Sequence, residues 1–218
     1  MSPSESMEKT FQLTQIRWAS KADLSKGQLW SSWAKNNRLP RWFWQRVWEY
    51  PWVFSKIQES ESVLDVGGTY PFVLFKHFPR AVSVDSRDLN LIGHYLHDGL
   101  WPKGSLLIAD AQKIPLSDKS FDCVISISAL EEMQNPEKVL DEMMRIANKR
   151  VILTCDVGGS GISLSDFEKL FSAWEVKFMD SKKYLTSLSP VLLKYGQRPI
   201  WRNRKIRVVG MVFEREKF

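Results

Sequence analysis

A short apolar run that ends in a glycine pair most constrains the fold of this chain. Residues 62–70 read Ser-Val-Leu-Asp-Val-Gly-Gly-Thr-Tyr, and a second apolar run, Val-Ser-Val-Asp, occupies residues 82–85. This order predicts a strand, a glycine turn, a helix and a second strand. Glycine allows such a turn to approach a ligand closely because it has no Cβ. Asp85 would end the second strand, where a carboxylate accepts hydrogen bonds from ribose hydroxyls, and we therefore expect an adenosine-containing ligand.

Two further apolar runs also end in polar residues. Residues 106–110 read Leu-Leu-Ile-Ala-Asp, and residues 121–128 read Phe-Asp-Cys-Val-Ile-Ser-Ile-Ser. From about Glu61 to Cys155 the chain thus resembles the class I S-adenosylmethionine-dependent methyltransferases, because four elements occur in that family's order and spacing. The resemblance departs from the family at Tyr70 and Pro71, where small residues are usual in the glycine loop.

The resemblance implies that S-adenosylmethionine is the cofactor. It places the glycine turn under the methionine part, Asp85 at the ribose and Asp110 at the adenine amino group, with the amide after Asp110 facing the ring. The end of the fourth strand would lie near the sulfonium. The cofactor-binding residues expected on this basis are Asp65, Gly67, Gly68, Asp85, Ser86, Asp110, Ala111 and Ser126.

The apolar runs predict an α/β fold with a Rossmann-like, doubly wound, mostly parallel sheet. Seven strands are expected, near 62–66, 81–84, 105–109, 121–127, 149–154, 173–178 and 206–213. Helices are expected from Asn135 to Ala147, with Pro136 at the first helical position, and from Ser165 to Phe171 behind a serine cap.

The first sixty residues hold seven of the ten tryptophans, namely Trp18, Trp30, Trp33, Trp42, Trp44, Trp48 and Trp52. We therefore divide the chain into a Trp-rich helical extension or lid, 1–58, and a methyltransferase domain, 59–218. The helical spacing of Trp44, Trp48 and Trp52 is interrupted by Pro51, which should break or kink the helix. These rings either belong to the core or close over the cofactor and acceptor.

An oxygen acceptor would benefit from a general base near the ends of the fourth and fifth strands. Glu131, Glu132 and Asp156 are the catalytic candidates there, although the two glutamates also suit the first turn of a helix. The Gly-rich segment after Asp156 is either a wall of the acceptor pocket or a linker. No cluster of residues has the spacing of metal ligands, so no metal is expected. Cys123 and Cys155 are expected to be buried thiols, too far apart for a disulfide.

The net charge of +6 and the basic stretch 198–207 favour an anionic partner or a solvated surface. No run is apolar enough to span a membrane, and the N-terminal residues 1–6 lack a signal-peptide core, so we expect a cytoplasmic protein. The favoured function is methyl transfer to a small-molecule or glycan acceptor, at oxygen. An RNA methyltransferase is the alternative that the basic, Trp-rich ends suggest, and a non-catalytic binding protein is the alternative that the altered glycine loop suggests.

Overall fold

The computed structural model describes residues 10–20, 23, 46–68, 74–75, 77–86, 106–158, 161–176, 186–187 and 205–216. Within these ranges the strands are β1 (Phe11–Trp18), β2 (Val63–Val66), β3 (Val82–Asp85), β4 (Leu106–Ile108), β5 (Phe121–Ile127), β6 (Ala147–Val157), β7 (Thr186–Ser187) and β8 (Lys205–Arg215). The helices are α1 (Arg46–Phe54), α2 (Pro136–Ile146) and α3 (Leu164–Leu170), with 3₁₀ turns at Leu130–Glu132 and Ser172–Trp174.

Seven of these strands form one continuous sheet in the order β1-β8-β6-β5-β2-β3-β4, and the short β7 pairs with β8 outside this path. The five strands from β2 to β6 are parallel to one another, while β8 is antiparallel to both β6 and β1. The expected α/β class with a mostly parallel sheet is therefore confirmed. All five parallel strands end at the same edge of the sheet, which is where ligands of open α/β sheets bind.

Both faces of the sheet are covered, as the alternation of side chains along β6 shows. Ile152 packs in the core on one face, together with Trp48 and Trp52 of α1. Val151 and Leu153 point to the other face, where α2 and α3 pack. Buried strands with apolar residues on both faces are typical of parallel sheets covered by helices.

The N-terminal segment differs from the expected helical extension. Residues 11–18 form β1, which pairs with β8 at the edge of the sheet, so helix accounts for only part of the described N-terminal region. Helix α1 also runs through Pro51 without ending there. The ring of Trp52 in this helix packs against Gly210 of β8, where an added Cβ would lie 2.5 Å from the indole. The four tryptophans between residues 30 and 44 lie outside the described residues.

The expected strand at 173–178 is wrong for its described part. Residues 172–174 form a 3₁₀ turn because Trp174 turns back onto β1 and β8: its Nε1 donates to the Phe11 carbonyl at 3.1 Å, and its ring meets Phe213 at 5.0 Å. Helix α3 begins earlier than expected, since Ser163 is its N-cap and accepts a hydrogen bond from the Asp166 amide.

Two other expectations fall partly or wholly outside the described part of the chain. Tyr70, Pro71 and most of the basic stretch 198–207 are not among the described residues. Within the described ranges, no helix has both the length and the apolar character needed to cross a membrane.

Candidate functional site

The residues expected to bind the cofactor follow three neighbouring parallel strands. Asp65 lies in β2, Asp85 ends β3, and Asp110 comes two residues after β4. Register keeps these strand ends level, since Val66 pairs with Val84 and Asp85 pairs with Ile108. The sheet therefore places the three carboxylates in a row along one edge.

The turn after β2 is too tight for any side chain. Gly67 has a φ of +80°, and its amide donates to the Val84 carbonyl at 2.8 Å. A Cβ on Gly68 would lie 2.1 Å from Asp65 Oδ2 and 2.2 Å from Ser83 Oγ. Since real Cβ atoms do not approach other atoms so closely, both positions need glycine, because neighbouring side chains already occupy the space that a Cβ would take.

Asp65 and Asp85 are buried, whereas Ser86 and Asp110 are exposed. Asp110 begins an Asx turn in which its Oδ1 accepts from the Gln112 amide at 2.9 Å. This bond fixes the direction of the carboxylate beside the half-buried Ala111.

The expected contact at Ser126 is not at the rim of the sheet. Ser126 lies within β5, is fully buried, and its hydroxyl has no hydrogen-bond partner among the described residues. The rim is reached two residues later, at Ser128, which has a left-handed φ of +42°. Ser128 donates its amide to Thr154 of β6, at 3.1 Å from both the carbonyl and the hydroxyl oxygen.

Beside Ser128 lies an acid that the sequence pattern did not single out. Glu49 of α1 is completely buried, and its Oε1 accepts hydrogen bonds from Ser128 Oγ and from Thr154 Oγ1, the latter at 2.7 Å. The available signal was a glutamate within the aromatic string Trp48-Glu49-Tyr50-Pro51-Trp52, which is expected to be buried. Glu49 thus joins α1 to the ends of β5 and β6.

Two of the three catalytic candidates, Glu131 and Asp156, contact each other near Glu49. Glu131 Oε1 accepts from the Asp156 amide at 2.9 Å, and Glu131 Oε2 is buried without a hydrogen-bond partner in the described part of the chain. Burial, followed by the negative charges of Asp156 and Glu49, raises the pKa of Glu131 well above its ordinary value. Glu131 therefore holds a proton more readily than an exposed glutamate does.

Glu132 is not brought into this group. It is the last residue of the 3₁₀ turn, and its side chain is exposed. Because a 3₁₀ turn rotates successive residues by about a third of a circle, Glu131 and Glu132 point in different directions. The geometry therefore separates the two glutamates, and only Glu131 lies beside Asp156.

Cys123 and Cys155 are free and buried, as expected. Burial raises the pKa of both thiols, which leaves little reactive thiolate. No group of three or more His, Cys, Asp and Glu side chains within the described ranges is arranged to hold a metal ion.

Comparison with known proteins gives a family match for the central part of the chain. Residues 66–155 match the family described as the methyltransferase domain. The matching segment contains the glycine turn, Asp85, Asp110, Ser126, Ser128 and Glu131.

Two curated relatives come from Rauvolfia serpentina. Ajmaline N-methyltransferase is 31% identical over 104 residues, covering 43% of this chain, and norajmaline N-methyltransferase is 41% identical over 49 residues, covering 22%. This chain spans only 36% and 17% of the lengths of these two relatives.

Solved structures are similar over a larger part of the chain. The YcgJ protein of Bacillus subtilis is 14% identical, with a TM-score of 0.53, covering 78% of this chain and 99% of its own. A chain of the complex between the Trm112 methyltransferase activator and a Haloferax volcanii methyltransferase is also 14% identical, with a TM-score of 0.50, covering 90% of this chain and 98% of its own. At this level of identity the similarity concerns the fold alone.

Proposed function

We propose that this chain is a class I S-adenosylmethionine-dependent methyltransferase that transfers a methyl group from S-adenosylmethionine to a small-molecule or glycan acceptor. The observation that carries the proposal is the row of Asp65, the glycine turn, Asp85 and Asp110 along one edge of the parallel sheet. In this assignment Asp85 binds the ribose hydroxyls, and Asp110 with Ala111 reads the adenine ring. Ser86 lies beside the ribose, next to Asp85.

The bound cofactor supplies a methyl group already activated on a sulfonium, so the protein has to align the acceptor and manage its proton. Glu131 is the proposed base. Its Oε2 has no hydrogen-bond partner within the described part of the chain, and its raised pKa makes the carboxylate a stronger base than an exposed glutamate. Asp156 contributes to that raised pKa, and Glu49 holds Ser128 and Thr154 beside it.

A nitrogen acceptor is a second candidate for the atom that is methylated. The two curated relatives are named as N-methyltransferases. An amine must also lose its proton before it can attack, so Glu131 would have the same role toward an ammonium group.

The cofactor assignment is tested by calorimetry with S-adenosylmethionine and S-adenosylhomocysteine. We expect the wild type to bind both, and Asp85→Ala to lose at least about tenfold in affinity, since hydrogen bonds to a charged group contribute about 1.5 to 3 kcal/mol. Glu59→Gln is the control, because Glu59 is an exposed carboxylate before the start of β2. Absence of binding to the wild type would contradict the proposal.

The acceptor atom is tested with methyl-labelled cofactor and a panel of phenols, sugars and secondary amines. Methylated phenols or sugars would support the oxygen assignment, whereas methylated amines alone would overturn it. Glu131→Gln should slow transfer by about 10²- to 10⁴-fold if Glu131 is the base, while leaving the affinity for S-adenosylhomocysteine within about twofold. Unchanged transfer would remove Glu131 from the mechanism.

A further inference from the structure

The segment that connects β4 to β5 carries Asp110 and Ala111 but has no regular secondary structure between residues 109 and 120. We call residues 110–119 the 110–119 loop. Such a loop needs support from outside if it is to hold a ligand in one orientation. The side chains of α2 supply that support at several points along the loop.

Arg145, in the last turn of α2, makes most of these contacts. Its guanidinium donates to the Leu116 carbonyl at 2.8 Å, to the Ile114 carbonyl at 3.1 Å and to Asp118 Oδ1 at 2.6 Å. It also pairs with both oxygens of Glu142 at 2.8 Å each. The bonds to Glu142 and Asp118 raise the pKa of Arg145 above its ordinary value, so the guanidinium stays charged.

The same network of hydrogen bonds extends to Asp110, at the start of the 110–119 loop. Glu142 Oε1 accepts from the Ile114 amide at 2.7 Å. At the start of α2, Asn135 Nδ2 donates to Gln112 Oε1 at 2.9 Å, and the Gln112 amide in turn donates to Asp110 Oδ1 at 2.9 Å. The Asp110 carboxylate is therefore connected to both ends of α2 through the loop.

We infer that Arg145, together with Glu142, is a positioning residue that determines how selectively the 110–119 loop recognises adenine. The inference rests on the proposed function, because it takes Asp110 as the residue that reads the adenine amino group. The planar guanidinium bonds two carbonyls and two carboxylates at once, and the single ammonium of a lysine cannot reproduce this geometry. Loss of these bonds removes the Arg145 donor from the carbonyls of Ile114 and Leu116, leaves the Ile114 carbonyl with the Leu116 amide at 2.7 Å, and allows Asp110 to change direction.

The measurement is the ratio of two affinities. S-adenosylhomocysteine carries the adenine amino group, and S-inosylhomocysteine carries an oxygen in its place. An Asp110 carboxylate that is held in one direction favours the amino compound, and we expect about a 10- to 100-fold preference in the wild type, as for other single polar contacts. A general loss of stability lowers both affinities together, whereas a misdirected Asp110 lowers their ratio.

Arg145→Lys should reduce this preference about tenfold, and Asp110→Asn gives the reference value for a loop that has lost its carboxylate. The matched control is Arg150→Lys. Arg150 also bonds a carbonyl, Lys56 at 2.8 Å, and a carboxylate, Glu61 at 3.2 Å, but it lies in the first half of β6, away from the edge that holds Asp110. This variant should keep the wild-type ratio.

Glu142→Gln provides a second test that does not depend on the folding of Arg145→Lys. The glutamine keeps an oxygen for the Ile114 amide but cannot pair with the guanidinium through both atoms, so we expect a smaller loss of preference. A wild-type ratio in both α2 variants would overturn the inference. A wild type that binds neither compound would instead overturn the proposed function.

Discussion

The buried carboxyl of Glu131 makes stability depend on pH. Burial and the charge of Asp156 raise its pKa in the folded protein, so the folded state holds this proton more tightly than the unfolded chain. Glu131 therefore stabilises the folded state below the ordinary glutamate pKa. This contribution is lost as the pH rises from that value through the raised pKa of the folded state. The sign is the reverse of that for an acid in a salt bridge.

Glu131→Gln removes this titration while keeping an oxygen that can accept from the Asp156 amide. We expect the melting temperature of the variant, relative to that of the wild type, to rise as the pH increases from 5 to 8. One unit of pKa corresponds to about 1.4 kcal/mol, and a chain of this length gains about 2 to 4 °C per kcal/mol. Thermal unfolding across pH 5 to 8 measures the difference. Exposed Glu132→Gln is the control, and a difference between Glu131→Gln and wild type that stays constant from pH 5 to 8 would contradict the assignment.

The glycine turn gives a second prediction for a single residue. Gly68→Ala places a methyl group against Asp65 Oδ2 and Ser83 Oγ, which lie 2.1 Å and 2.2 Å from the position that the new Cβ would take. The backbone must shift, and overpacking of this kind costs about 1 to 3 kcal/mol. Urea unfolding should show this loss, and calorimetry should show weaker binding of S-adenosylhomocysteine. Ser83→Ala, which only deletes a hydroxyl, is expected to cost less than Gly68→Ala; wild-type stability of Gly68→Ala would show that the turn has room.

Among the elements, α1 is fixed to the sheet through Glu49. Glu49→Ala removes this acceptor from the half-buried hydroxyl of Ser128 and the buried hydroxyl of Thr154, which should cost about 2 to 4 kcal/mol. Glu49→Gln keeps an acceptor oxygen and should cost less than half as much. Hydrogen exchange of the peptide 126–133 should accelerate in the alanine variant and stay close to wild type in the glutamine variant. Equal effects of the two substitutions would show that charge, and not the hydrogen bonds, is what matters at this position.

The elements of the parallel sheet could be predicted from the sequence because each is signalled locally. An apolar run with a glycine or an acid at its end marks β2, β3, β4 and β5 to within about a residue. These strand ends then fall at one edge by the geometry of parallel sheets alone, and Asp65, Asp85 and Asp110 follow from it.

The elements that were missed depend on contacts between distant parts of the chain. Glu49 meets Thr154 across 105 positions, and no periodicity near residue 49 reports that contact. The run around Trp174 has the composition of a strand, but its ring packs on Phe213 and its indole bonds Phe11, so packing outweighs local propensity there. Glu131 and Glu132 are adjacent in sequence and are separated only by the direction of a 3₁₀ turn.

At the scale of the whole molecule, the N-terminal strand joins segments that are far apart in the chain. β1 pairs with β8 over seven residue pairs, and its Trp18 ring meets Phe167 of α3 at 5.7 Å. Phe11 is buried beneath the guanidinium of Arg215, 4.4 Å from the ring centre. A strand buried at both ends in this way should unfold together with the sheet and not as a separate lid.

The two buried cysteines allow that cooperativity to be measured. Cys123 in β5 and Cys155 in β6 are shielded from solvent, so a thiol reagent reaches them only when the sheet opens. Phe11→Ala should cost about 3 to 5 kcal/mol, as other buried aromatic truncations do. If β1 and the central strands open as one unit, both cysteines should react roughly 100-fold faster or more in this variant, and by the same factor, because the reaction follows the population of the open state.

Exposed Ile16→Thr in the same strand is the control and should change the rates little. Unchanged thiol reactivity in a destabilised Phe11→Ala variant would mean that β1 detaches on its own, which is the behaviour of a lid over the site.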